Sequence, residues 1–123
     1  MNRLRRILVI CCFWICLGVL IFWLLRRNEY LGSLVLGEDT TYSVRYNEKS
    51  FKRVKKGLSK EEVRQLLGEP LRIAEYKKNG LNYSAWIYSM QTPTSRIHNF
   101  RMRVVVFDER NSVLRTETGL YVD

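Results

Sequence analysis

Few side chains in this sequence have the type and spacing that chemistry needs. His98 is the only histidine and has no nucleophile pattern near it, so a solvated loop imidazole is a simpler reading than a general base. Glu61-Glu62 and Asp108-Glu109 are adjacent pairs. Neighbours on a helix do not face each other, so Glu61 and Glu62 make a poor acid–base couple. Ser59 stands where a helix begins and reads as a cap, not a nucleophile. The sequence has neither a glycine-rich phosphate loop nor a metal-ligand spacing. No catalytic, cofactor or metal residues are therefore expected, and the chain does not read as an enzyme.

Two constellations are suited to binding. Lys49, Lys52, Arg53, Lys55, Lys56 and Lys60 form a basic cluster. It reads either as a solvated face that keeps the domain soluble or as a contact for anionic phospholipid headgroups or an acidic partner. Each basic residue near such a surface adds about 1 kcal/mol. Trp86 and Tyr88 alternate on one strand face, either as core or as exposed aromatic anchors for a protein partner. The binding candidates are thus Lys52, Arg53, Lys55, Lys56, Trp86 and Tyr88. No nucleic-acid motif accompanies the bases.

The elements that must position these residues begin with a membrane segment. Ile7 to Leu25 contains no charge, and nineteen helical residues rise about 28 Å, near the roughly 30 Å of a bilayer core. The apolar core of a cleavable signal is shorter, about 7–15 residues, and no small-residue cleavage site follows. The expectation is a retained transmembrane helix at 7–25 within an anchor of residues 1–27. Arg3, Arg5 and Arg6 precede the run and Arg26 and Arg27 follow it, which favours a cytoplasmic N-terminus and an exported C-terminal domain. Cys11, Cys12 and Cys16 all fall inside the run, so the rest of the chain has neither a disulfide framework nor a thiolate metal site. Of the 21 Lys and Arg, five flank the run, leaving 16 against 12 Asp and Glu in residues 28–123. That modest excess does not argue for nucleic acid.

Residues 28–47 read as a linker, with a short edge strand at Tyr42 to Tyr46. The folded domain is expected over 48–123. Phe51, Val54 and Leu58 have the spacing of one helix face, ended by Gly57. Gly57 to Pro70 then writes a complete second helix. Ser59 is its N-cap, Glu62 closes a capping box, Leu58 and Val63 supply a hydrophobic staple, Gly68 ends it and Pro70 prevents continuation. Beyond Pro70 the apolar period falls to two. Leu71 to Lys78 and Leu81 to Met90 flank Asn79-Gly80, the preferred pair for a type I′ hairpin. Phe100 to Phe107 alternates, with Arg101 and Arg103 on the half-exposed side. A turn at Asp108 to Ser112 leads to a last strand at Val113 to Thr118. The class is α+β: two short helices packed on a three- to four-stranded antiparallel sheet, preceded by one transmembrane helix.

The ordered set Gly57-Leu58-Ser59-Lys60-Glu61-Glu62-Val63, Leu66-Leu67-Gly68-Glu69-Pro70, Trp86-Ile87-Tyr88 and Val104-Val105-Val106-Phe107-Asp108 resembles the SmpA/OmlA domain family, also called BamE-like. The resemblance covers roughly Phe51 to Thr116. It implies two helices on a three-stranded antiparallel sheet, no enzymatic activity, and a role in the bacterial cell envelope beside the machine that assembles outer-membrane β-barrels. Related folds inhibit β-lactamases, so regulation of an enzyme is the alternative. Family members are typically lipoproteins, whereas here Ile10, Cys11 and Ile15 precede the three cysteines where a small residue is required. A helical anchor in place of the lipid implies the inner membrane, or the only membrane of a single-membrane cell, with a protein partner in the envelope.

Overall fold

The computed structural model of the chain describes residues 2–123. The apolar run lies within helix α1 (Arg3–Arg27), of which no residue is buried. Its length and composition are those of a helix able to cross a membrane. Four antiparallel strands form the main sheet in the order β2 (Arg72–Lys78), β3 (Leu81–Ile87), β5 (Phe100–Phe107) and β6 (Val113–Tyr121). A short pair, β1 (Thr40–Tyr42) with β4 (Ser89–Gln91), continues the fold beside one end of β5. The chain is α+β, as its periodicity implies.

Helices α3 (Glu48–Phe51) and α4 (Lys60–Leu67) cover one face of the main sheet. The core between the layers holds Phe51, Val54, Val63, Leu67, Trp86, Tyr88, Val105, Phe107 and Val113. The cap of α4 forms as its sequence requires. Ser59 Oγ accepts the Glu62 N–H at 3.1 Å, and Glu62 Oε2 accepts the Ser59 N–H at 2.8 Å. Asn79 and Gly80 both take positive φ, 52° and 80°, the backbone of a type I′ turn, and Lys78 pairs with Leu81 across it.

Four expectations need correction. The first helix stops at Phe51 instead of running to Gly57. Beyond it the backbone tightens, with Arg53 N–H on Ser50 O and Val54 N–H on Phe51 O. The segment then leaves helical geometry so that Gly57 N–H reaches Val113 O and Leu58 O accepts Val113 N–H, both at 2.8 Å. Pairing with the sheet wins over helix continuation. The expected linker is largely structured, since helix α2 (Glu29–Leu36) and β1 occupy it. Its strand is Thr40–Tyr42, and at Ser43 to Tyr46 the chain turns, Tyr46 N–H bonding Ser43 O. The strand expected over Leu81 to Met90 is interrupted at Tyr88, whose N–H turns to Arg103 O. Finally, the last strand runs on to Tyr121.

Candidate partner and membrane surfaces

Trp86 and Tyr88 are not an exposed patch. Trp86 retains 2% of its surface and Tyr88 none. The cause lies in register, because Trp86 pairs with Val105 on the sheet face that α4 covers. Trp86 packs against Phe107, ring centres 4.8 Å apart, beneath the Arg64 guanidinium at 5.0 Å. Tyr88 donates its hydroxyl to Gly68 O at 3.0 Å, fixing the end of α4 to the sheet. Burial holds that phenol protonated well above the ordinary tyrosine range. Both residues build the core.

The basic residues have a different fate. Lys49, Lys52, Arg53, Lys55 and Lys56 are all exposed, and none forms an ion pair among the described residues. Lys49 lies on α3, and the others lie on the loop that follows it. Lys60 stands apart, its Nζ over the Trp86 and Phe107 rings. Lys52 shares a shallow cleft with Glu29, Tyr30, Thr116 and Thr118. Gly57, at the other end of the loop, bonds Val113. The loop therefore follows the first half of β6, from beside α2 to the sheet end at the Asp108–Ser112 turn.

The feature that alternation alone misreads is Arg103. Placed on a half-exposed face by its spacing, it is 1% exposed. Its guanidinium makes a bidentate pair with Glu29, at 2.8 and 3.0 Å, and reaches Glu48 at 3.1 and 3.3 Å. It also donates to Met102 O at 2.8 Å. Tyr46 donates its hydroxyl to Glu48 Oε2 at 2.5 Å. Burial would by itself raise the Glu48 carboxyl, but hydrogen bonds from Arg103 and Tyr46 outweigh it and hold the group below the usual carboxylate range. Burial, then the bond to Glu48, pushes the Tyr46 phenol far up. No local signal announces this group, since Glu29 and Glu48 are 74 and 55 residues away in sequence.

Arg101, two residues earlier, repeats the device. It pairs with Glu38 at 2.8 Å, donates to Ser33 Oγ at 3.1 Å and lies over the Tyr30 ring at 4.9 Å. The two arginines thus fasten both ends of α2 to β5. The middle of α2 is fastened by fit. A methyl group on Gly32 would stand 2.9 Å from Leu120 Cδ2 and 2.9 Å from Leu25 O, so only glycine lets the three segments meet. The remaining polar groups do not converge. His98 is exposed, with Nδ1 3.0 Å from Gln91 Nε2. Glu61 and Glu62 serve Arg64 and the α4 cap, and Asp108 Oδ1 accepts the Arg110 and Ser112 N–H groups.

The capped α4, the hairpin and most of the two-strand return fall within one continuous stretch of the chain that a family comparison matches. Residues 44–117 match the family described as "Outer membrane protein assembly factor BamE domain". The matched span is well over half of the chain, and the protein belongs to this family. No curated protein and no solved structure matches. The clamp helix α2 lies outside the matched residues, and so does Glu29.

Proposed function

We propose that this protein is a membrane-anchored, non-enzymatic module of the bacterial cell envelope that binds a protein partner and assists assembly of outer-membrane proteins. The observation that carries the reading is the BamE domain at 44–117 joined to an apolar 25-residue helix. Helix α1 holds the chain in the inner membrane, and the arginines before it keep the N-terminus in the cytoplasm and the domain outside. Burial of Trp86 and Tyr88 leaves no exposed aromatic face for the alternative, an enzyme inhibitor, which then rests on likeness of fold alone.

The exposed bases divide by position. Lys52 lies beside α2 and reaches anionic headgroups. Lys55 and Lys56 precede Gly57, which is paired with Val113 at the start of β6, whereas the cleft that Lys52 shares with α2 is bordered by Thr116 and Thr118. Three to five strand residues span roughly 10–17 Å, beyond a Debye length of about 8 Å. Lys55 and Lys56 therefore serve an acidic protein surface rather than the membrane, and Arg53 stays beside Lys52. Cross-linking in intact cells followed by capture of the full chain tests this. The expected result is one reproducible envelope partner, lost on reversing Lys55 and Lys56 to Glu but retained with Lys52→Glu, and reduced levels of folded outer-membrane barrels when the protein is removed. Unchanged barrels together with no partner would refute the reading.

A further inference from the structure

Helix α2 presents an unusual surface for an element so close to the end of a potential membrane span. Leu34 is 82% exposed and Val35 63%, with Tyr30, Leu31 and Leu36 exposed beside them. The three positions Leu31, Leu34 and Val35 are three and four apart, one helical face. The surface continues beyond the helix. Leu36, Leu120, Tyr121 and Val122 line a cleft of about 440 Å³ with Phe22 and Leu25 of α1. An apolar face in water at this density is costly and marks a contact site.

What covers it is indicated by three features. First, a single residue, Asn28, separates α2 from α1, and Gly32 is seated against the Leu25 carbonyl. Its midpoint is therefore held close to the last turns of α1, where a span would leave the hydrocarbon. Second, the apolar surface is continuous with the membrane-facing side chains of α1 through the shared cleft. Third, the two acids that bracket the helix, Glu29 and Glu38, are turned inward onto Arg103 and Arg101. Left outward, they would be repelled by anionic lipid and would pay desolvation at the boundary. The helix carries no other charge, so its outward face is wholly uncharged.

We propose that α2 is an interfacial membrane helix, with Leu31, Leu34 and Val35 seated at the boundary between headgroups and acyl chains, so that the BamE domain rests against the bilayer rather than hanging from a tether. The occupant is lipid, and the inference rests on α1 spanning the membrane. Burial of an apolar face in this layer is the general mode of interfacial helices.

Depth-dependent fluorescence quenching on the full chain in phosphatidylethanolamine–phosphatidylglycerol vesicles tests it. With Cys11→Ala, Cys12→Ala and Cys16→Ala as background, an environment-sensitive dye is placed singly at Phe13→Cys, Leu34→Cys, Val35→Cys or Arg110→Cys. Arg110 lies in the turn between β5 and β6, at the opposite end of the sheet from Tyr121. Loss of emission from positions 34 and 35 by acyl-chain nitroxides, but not by aqueous iodide, is the expected result. The dye at 110 should answer to iodide alone. If 13 is quenched by lipid while 34 and 35 are quenched by iodide, this inference fails and the span stands. Iodide quenching at 13 overturns the span and this inference with it. A dye at 34 shielded from both quenchers means that protein covers the face, which also overturns the proposal.

Discussion

Arg103 carries more consequence than any other single side chain here. A guanidinium at 1% exposure must be paired throughout, and Glu29 and Glu48 supply both partners. Breaking such a group by removing one partner leaves an unpaired buried charge, typically costing about 3–5 kcal/mol. Glu29→Ala leaves the buried guanidinium in that condition, whereas Arg103→Ala removes the cation itself, its packing over Phe51 and the partner of both carboxylates. The expected outcome is a melting temperature far below that of the parent in detergent, with Arg103→Lys only a partial rescue because an ammonium cannot make the bidentate pair. The same group sets an acid limit. Glu48 has a lowered folded-state pKa, so its contribution is present above the unfolded carboxylate value, about 4.3, and is lost as pH falls through the folded one. Thermal denaturation between pH 3 and 7 should show that loss, and Glu48→Gln should flatten it. Residues such as Ser59, Glu62 and Asn79 were readable from sequence because their partners are at most a few positions away. Arg103 was not, because its role depends on carboxylates that only the folded chain brings near.

Elements divide in the same way. Helix α4 and the Asn79-Gly80 hairpin were legible because cap and turn residues specify backbone conformation locally, and β5 was found at its observed bounds because its alternation spans eight residues. The helix expected through Phe51, Val54 and Leu58 to Gly57 stops at Phe51, since that spacing is met equally by a loop laid along β6. The ends of α4 give a graded test. Ser59→Ala removes one cap acceptor and should cost about 1 kcal/mol. Gly68 has φ 76° with ψ −162°, a region essentially closed to other residues, and a Cβ there would stand 2.7 Å from Arg45 Cβ. Gly68→Val should therefore lower the melting temperature more than Ser59→Ala. Equal, negligible shifts in both would contradict the described α4.

For the molecule as a whole, the family match begins at residue 44, but the folding unit begins earlier. Glu29, Glu38 and the β1 pairing all lie upstream and satisfy Arg103, Arg101 and β4. A fragment of residues 28–123 should accordingly melt above one of residues 44–123. The expected gap is at least about 4–8 °C, the shift per 1 kcal/mol for a domain of 60–100 residues. Identical melting would show that α2 contributes nothing to the fold. The topology is checked by a reporter fused after Asp123, which should be active only outside the cytoplasm.

The fastening of α2 to both α1 and β5 has a consequence for encounters. A domain on a slack tether tumbles, and a partner must freeze that tumbling when it binds. Losing rotational freedom is part of an association cost estimated at roughly 4–15 kcal/mol. Here the clamp would remove much of that freedom before any partner arrives, because the sheet is held at one attitude relative to the helix. Two proteins in the same membrane would then meet in two dimensions with their faces already aligned, and even a small contact could suffice to hold them. Loosening the joint, as with Gly32→Val, should weaken partner capture without altering any residue that touches the partner.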